Sequence, residues 1–256
     1  MERQARSSRA VILAAAVLAA CSTSPGGGPR PCALLTPPAG TRVLVFTRTT
    51  GFRHESIPAG VAAVEALGTR FGFAVEHTED AVQFTDANLA RFGAVVFLST
   101  TGDVLDAAQQ AAFERFVRAG GGFVGVHAAA DTEYEWPWYG QLVGAYFASH
   151  PAIQQATVRV EDATHASTLC VPSLWSRTDE WYNYRARPPA GTTILLTLDE
   201  ATYNGGAMGS PHPIAWYRQV DGGRAWYTGM GHTTESYAEP AFLEHLAGGI
   251  LWAAAR

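Results

Sequence analysis

The chain has 256 residues, of which 47% are hydrophobic and 16% are charged, and its formal net charge at pH 7 is −5. This composition is typical of one globular domain, and an acidic chain without a basic stripe is a poor candidate for nucleic acid binding. All 18 basic residues other than histidine are arginine, which excludes Schiff-base and P-loop lysine chemistry.

The first 40 residues are predicted to precede the folded domain. Several arginines are followed by an apolar run, 10–20, that is too short to span a bilayer but fits a signal peptide. The segment 18–21 resembles the cleavage box of bacterial lipoproteins, so we expect residues 1–20 to be a lipoprotein signal peptide and Cys21 to carry the lipid. An ordinary cleaved signal or a buried helix is the alternative. Residues 21–40 have the composition of a flexible tether. The protein would then be exported and anchored to the bacterial membrane, on its periplasmic or cell-surface face.

Two further cysteines, Cys32 and Cys170, could pair in an oxidising compartment. Their pairing depends on the separation of their Cα atoms, which the sequence does not give.

From residue 41 the chain alternates between short apolar strands and amphipathic helices. Ser56 is expected to cap the first of these helices, and Asp106 with Gln109 has the pattern of a capping box. This alternation predicts an α/β fold with a mostly parallel, doubly wound sheet. Predicted strands lie at 41–47, 73–77, 94–99 and 123–126, the last after the glycines 120–122 that end a helix. Beyond Asp131 further strands, with some antiparallel members, are predicted at 153–161, 179–184, 193–198, 212–218 and 224–228.

Polar side chains follow the predicted strands where each strand ends. Ligands of open α/β sheets bind outside the carboxyl ends of the strands, so we expect these side chains to share one edge. Each of them taken alone is more often structural than functional. They are His54 and Glu55, Thr100, Thr101 and Asp103, His127 and Asp131, Asp179 with Glu180 and Tyr182, and His232.

These residue types indicate acid–base chemistry. We expect His127 and His54 to exchange protons, with Glu180 and Asp131 as their partners or as acceptors for substrate hydroxyl groups, and His232 as a third imidazole. The three histidines with Glu180 would also suit a divalent metal, although the sequence requires no cofactor and lacks the spacings common at zinc sites.

Aromatic residues near these carboxylates suggest carbohydrate as the ligand, because the apolar faces of sugar rings pack on aromatic rings. Trp136, Trp181 and Tyr182 are the candidates, and the alternative is that their rings fill the core. Asp103 is expected to accept hydrogen bonds from sugar hydroxyl groups.

The span from about residue 42 to 252 resembles the ThuA-like (trehalose utilization) domain, which has a class I glutamine amidotransferase-like, flavodoxin-like fold. The resemblance implies one domain over 41–256 and a role in carbohydrate metabolism, around disaccharides and their keto derivatives. His150 and Arg224, which lie in matching motifs, are added as substrate contacts. The motifs that carry the resemblance are 49–54, 121–127, 144–147 with 150–151, 179–182, 212–216, 223–224 and 231–232.

The chain departs from its fold relatives in two places. Residues 125–129 occupy the strand-to-helix position of a nucleophile elbow, but His127 stands where a cysteine or serine would be, so glutaminase activity is not expected. Where the family often has a His-Pro pair, this chain has His165 followed by alanine, which weakens the case for His165 in the site.

Three functions remain open from the sequence. The first is an exported enzyme of hydrolase or isomerase type that acts on a sugar through histidine and carboxylate groups. The second is a non-catalytic sugar-binding lipoprotein, and the third a metal-dependent hydrolase. In each case the expected partners are a small carbohydrate and, through the lipid anchor only, a membrane; nucleic acid is not expected and the oligomeric state is undetermined.

Overall fold

The computed structural model describes residues 36–255. The predicted signal peptide, the lipid site at Cys21 and all but residues 36–40 of the predicted tether lie outside this range. Cys170 is disulfide-bonded, and because Cys32 is outside the described range, its pairing with Cys170 stays a prediction. Within residues 36–255, every helix is too short or too polar to cross a bilayer.

The elements alternate as the sequence predicts in the first half of the chain and become strand-rich in the second. The helices are α1 (Ile57–Phe71), α2 (Asp86–Leu89), α3 (Ala107–Arg118), α4 (Pro137–Val143) and α5 (Pro240–Ala254). The strands are β1 (Arg42–Phe46), β2 (Ala74–Thr78), β3 (Ala94–Leu98), β4 (Gly122–Val126), β5 (Phe147–Ser149), β6 (Gln154–Val160), β7 (Leu174–Asp179), β8 (Asn183–Tyr184), β9 (Thr193–Asp199), β10 (His212–Val220) and β11 (Gly223–Thr228).

One large sheet organises the domain, with the strand order β2-β1-β3-β4-β11-β10-β9-β6-β7. The first five strands of this order are parallel, and each later strand is antiparallel to its neighbour. Consequently β9 and β7 run in the same direction as the parallel strands, and only β10 and β6 oppose them. The predicted α/β fold with a mostly parallel sheet and added antiparallel strands is confirmed, and the carboxyl ends of β1, β4, β7 and β11 point to one edge.

The helix ends show one confirmed expectation and one that is wrong. At α3 the Asp106 carboxylate accepts from the Gln109 backbone N–H, and the Gln109 side chain accepts from the Asp106 N–H, as the capping box predicts. Ser56 precedes α1 but makes no side-chain capping bond. Its hydroxyl instead donates to the carbonyl of Gly231 at 3.4 Å, so it connects the start of α1 to the loop after β11.

The antiparallel half of the sheet curls back toward the parallel half. In a flat sheet β7 would lie four strand spacings, roughly 19 Å, from β11. Yet the carboxylate of Asp179, at the end of β7, accepts a hydrogen bond of 2.8 Å from the N–H of Gly231. Two register shifts between β9 and β10 lie on this path, and irregularities of that kind bend and twist strands.

The strand predicted over 179–184 has the wrong bounds. β7 ends at Asp179 and β8 begins at Asn183, so residues 180–182 form the connection between them. This connection turns Glu180 and Tyr182 toward the edge where β4 and β11 end.

Candidate active site

His127 occupies a strained turn directly after β4. It begins a short 3-10 turn, His127–Asp131, with a backbone φ of +51°. A non-glycine residue in this region costs about 1–3 kcal/mol and is held there only by its surroundings. The Tyr227 hydroxyl donates to the His127 carbonyl at 2.9 Å, and the ring Nδ1 lies 2.9 Å from the carbonyl of Gly229. Since a carbonyl only accepts, Nδ1 carries a hydrogen, and in that tautomer the lone pair of Nε2 points to the other side of the ring.

Four of the predicted residues meet at this lone pair. His54, His127, Glu180 and His232 each offer one ligand atom, and all four atoms lie within 4.8 Å of one another. The Nε2 atom of His127 is 3.1 Å from Nδ1 of His232 and 3.4 Å from Oε2 of Glu180. Nδ1 of His232 is 3.1 Å from the same carboxylate oxygen. We call these four residues the His3Glu cluster.

His54 completes the cluster from the loop after β1. Its ring centroid lies 4.9 Å from that of His127 and 5.0 Å from that of His232. Burial and the nearby imidazoles of His127 and His232 lower its pKa to about 3, so the ring is neutral at pH 7. Its buried Nδ1 has no hydrogen-bond partner among residues 36–255.

The cluster contains one carboxylate among the three imidazoles. Burial alone would raise the pKa of Glu180, but the close imidazoles of His127 and His232 outweigh burial and hold that pKa below its usual value. Burial likewise opposes the charge on His232, yet its hydrogen bond to Glu180 raises the pKa of the ring. The site is therefore arranged around a negative charge that requires a proton or a cation close by.

The cluster fits a divalent metal ion. In a tetrahedral site with metal–ligand distances of about 2.0–2.2 Å, ligand atoms lie about 3.3–3.6 Å apart, close to the separations found here. Neutral imidazoles and a carboxylate are ligands that zinc accepts. The hydrogen bond from Nδ1 of His127 to a backbone carbonyl is the support that metal-binding histidines usually have.

Two other predicted residues, His150 and Tyr182, contact the cluster, whereas Asp131 bonds Tyr134 instead. Nδ1 of His150 lies 3.0 Å from Oε1 of Glu180, and this side chain is 43% exposed. The Tyr182 ring packs against that of His127 with centroids 4.2 Å apart. Asp131, at the end of the turn that His127 begins, accepts a 2.6 Å hydrogen bond from the hydroxyl of Tyr134.

The remaining predicted contacts lie elsewhere. Asp103 is exposed in the loop after β3, where its carbonyl accepts from Thr50. Trp136 and Trp181 are buried in packing; their indole N–H groups donate to Glu114 and to the carbonyl of Gln154. Arg224 lies at the start of β11, at the opposite end of that strand from His232, and donates to the carbonyl of Trp252. Within residues 36–255 none of these four makes a described side-chain contact with the cluster.

The sequence analysis placed Asp179 at this edge but assigned it no role, and the structure shows that Asp179 holds the cluster together. The carboxylate of Asp179 is fully buried and accepts five hydrogen bonds, two of them from the backbone N–H groups of Glu180 and His232. The other three come from the Gly231 N–H, the guanidinium of Arg177 and the hydroxyl of Ser236. A signal existed in β7, where Trp175, Arg177 and Asp179 alternate with exposed residues and so share the buried face.

Comparison with known proteins agrees with this fold. The family model described as ThuA, trehalose utilisation, matches residues 42–253. The crystal structure of a ThuA-like protein from Bacteroides uniformis is similar, with a TM-score of 0.70 and 21% identity, over 86% of this chain and 93% of that one. One from Parabacteroides merdae has a TM-score of 0.70 and 22% identity, over 84% and 90% of the two chains. Comparison with curated proteins gives no match.

Proposed function

The chain belongs to the ThuA family of trehalose utilisation, and on that premise we propose that it is a carbohydrate-acting enzyme whose reaction centre is a divalent metal ion bound by the His3Glu cluster. Family membership itself supports only the coarse statement of a role in carbohydrate metabolism. The observation that carries the finer proposal is the convergence of three imidazoles and one carboxylate within 4.8 Å, at the edge where sheets of this kind bind ligands.

The ligand roles follow from the atoms that face the centre. Nε2 of His127 presents a lone pair because its Nδ1 hydrogen is held by the Gly229 carbonyl. Glu180 supplies the negative charge, and His54 and His232 supply neutral nitrogen once the cation replaces the proton near Glu180. A bound divalent ion would act as a Lewis acid on a carbonyl or hydroxyl oxygen of the sugar.

His150 is the group that we assign to proton transfer. Its Nδ1 hydrogen is held by the Glu180 carboxylate and the Pro151 carbonyl, at 3.0 and 2.9 Å, which orients the ring beside the cluster. A half-exposed imidazole can exchange protons with water, as a general acid or base requires. A reaction of hydrolase or isomerase type needs one such group beside the polarised oxygen.

We also propose that the enzyme is exported and lipid-anchored through Cys21. The arginines and the short apolar run before Cys21 support this part of the proposal. Metabolic labelling with a radioactive fatty acid, with Cys21→Ser as the unlabelled control, tests it. Labelling of the Cys21→Ser variant at wild-type level would show that the anchor is elsewhere.

The reaction centre is tested by substituting one ligand while preserving the backbone. His127→Asn removes the imidazole, and asparagine tolerates the positive φ at this position. His77→Asn serves as the matched control, because His77 lies on β2, outside the cluster. Its Nε2 atom hydrogen-bonds the hydroxyl of Thr47. Elemental analysis should find close to one equivalent of divalent metal in the wild type and the control, and much less in His127→Asn.

Turnover is measured on the same samples with a panel of disaccharides and their keto derivatives, with products separated by chromatography. We expect the wild type and His77→Asn to be active and His127→Asn to lose at least a hundredfold. Activity that survives complete removal of metal would refute the metal centre and favour acid–base catalysis by the histidines alone. Binding without any product would instead favour the non-catalytic sugar-binding lipoprotein.

A further inference from the structure

A cavity of about 420 Å³ opens beside the His3Glu cluster. Its volume falls within the range of about 300–1,000 Å³ that is usual for small-molecule sites. Its walls come from Phe52, Arg53, Glu55 and Ser56 before α1, from Ile153 before β6, and from residues 232–235 after β11. His232 belongs both to the cluster and to this wall, so the cavity borders the cluster.

The three segments of the wall are the same segments that carry groups of the reaction centre. Residues 52–56 contain the ligand His54, and residues 232–235 begin with the ligand His232. Ile153 lies three residues after His150, which contacts Glu180. A molecule that fills the cavity is therefore held by the same loops that position the reacting groups.

Two exposed apolar side chains that line the cavity suit the apolar face of a sugar ring. Phe52 is 65% exposed and Ile153 is 48% exposed, although both are large and apolar. Only five large hydrophobic residues of the described 36–255 are this exposed, and two of them line this one cavity. Scattered exposed hydrophobic residues need no explanation, but two that line the same cavity indicate a binding surface.

The charges around the cavity favour a neutral ligand. The Arg53 guanidinium is paired with Glu79 at 2.6 Å, so its charge is compensated. Glu55 and Glu235 line the same cavity and are exposed carboxylates without a cationic partner among the described ion pairs of residues 36–255. They can accept hydrogen bonds from sugar hydroxyl groups but repel phosphates and carboxylates.

We propose that this cavity is a subsite for one neutral sugar unit of a disaccharide, with Phe52 as the platform on which that ring packs. The other unit then lies at the His3Glu cluster, so the inference rests on the proposed function and specifies its substrate class. Phosphorylated sugars and uronic acids are excluded by the carboxylates of Glu55 and Glu235.

The test compares Phe52→Ala with a matched control. Val82→Ala is that control, because Val82 is 68% exposed and lines a different surface cavity. Binding of trehalose, maltose, lactose, glucose and glucose 6-phosphate to the wild type and both variants is measured by isothermal titration calorimetry. Metal content is determined on every sample.

We expect at least one disaccharide to bind the wild type and Val82→Ala equally, and to bind Phe52→Ala about 5- to 20-fold more weakly. Glucose should be affected less, and glucose 6-phosphate should bind more weakly than glucose. Equal disaccharide affinity in Phe52→Ala, tighter binding of the phosphate, or no disaccharide binding by the wild type would each overturn the subsite. A wrong assignment of the reaction centre gives a different result. In that case His127→Asn keeps its metal content and turnover, whatever the affinity of Phe52→Ala.

Discussion

Asp179→Asn tests whether Asp179 positions the cluster without being one of its metal ligands. The substitution changes no ligand, and the new side chain has nearly the same size. It removes the negative charge opposite the buried guanidinium of Arg177 at 3.0 Å, and it places an NH2 group among five hydrogen-bond donors. Whichever way the amide turns, its nitrogen faces at least two of the donors that now approach the carboxylate.

The expected loss is large because the site is fully buried. Removing one partner of a buried ion pair costs about 3–5 kcal/mol, since the other charge is left uncompensated. In a domain of this size each kcal/mol lowers Tm by about 2–4 °C, so Tm should fall by about 6–20 °C. The loop after β11 and the connection after β7 lose their common acceptor, so Glu180 and His232 should separate and metal affinity should fall with stability.

The measurement is thermal unfolding by circular dichroism, together with metal affinity at a temperature where the variant is folded. Asp86→Asn is the control, because Asp86 is an exposed carboxylate paired with Arg115 on the surface and should not change Tm measurably. Rescue would not be expected from added metal at concentrations that saturate the wild type. A variant with wild-type Tm and metal affinity would show that Asp179 does not position the cluster.

Three further predictions concern neighbouring features. Burial lowers the pKa of His245 to about 3. Below about pH 6.5 His245 therefore binds a proton in the unfolded chain but not in the folded one, so the free energy of unfolding decreases as the pH falls. His245→Phe should flatten the decline of Tm between pH 6.5 and 4.5. Gly231 has a φ of +106°, and a Cβ there would approach the Tyr237 hydroxyl to 2.9 Å, so Gly231→Ala should lower both Tm and metal affinity; unchanged values would show that the loop relaxes freely. His150→Gln should retain metal yet lower turnover by about 10²- to 10⁴-fold, and wild-type turnover would remove His150 from proton transfer.

The parallel half of the fold and three members of the cluster were predictable for a simple reason. Buried parallel strands read as continuous apolar runs, and the residue after each run lies at the carboxyl edge of the sheet. His54, His127 and His232 follow β1, β4 and β11, and β4 and β11 are neighbours in the sheet. Their proximity therefore follows from strand order once the fold is known.

Glu180 shows where this reasoning stops. It follows β7, which lies four places from β11 in the sheet order, and only the curl of the antiparallel strands returns it to the cluster. Curl depends on irregular pairing such as the shifts between β9 and β10, which leave no hydrophobic pattern in the sequence. The same gap explains Trp181 and Tyr182: these neighbours lie in a connection and not in a strand, one packed in the core and the other against His127.

The role of Asp179 was missed for a different reason, which is that a carboxylate at a strand end need not face a ligand. Sequence reasoning treats such a group as facing a ligand, whereas this one faces inward and accepts from the backbone of two cluster residues. Its neighbour Glu180 instead faces the imidazoles of His127 and His232. The two adjacent acids thus have different roles. Asp179 fixes the main chain of the loops, and Glu180 provides the negative charge of the site.

The position of His127 connects the fold to its chemistry. A sharp turn after a central strand exposes one side chain in a fixed orientation. That position suits a metal-binding imidazole as well as a nucleophile, because both must keep a fixed orientation during the reaction. Here the ring is fixed by the carbonyl of Gly229, on the strand next to its own, so the direction of Nε2 depends on the pairing of β4 with β11. Glu180 and His232 are fixed in turn by Asp179. The cluster is therefore held by two independent supports, one for each side, and loss of Asp179 should leave the orientation of His127 unchanged while His232 moves.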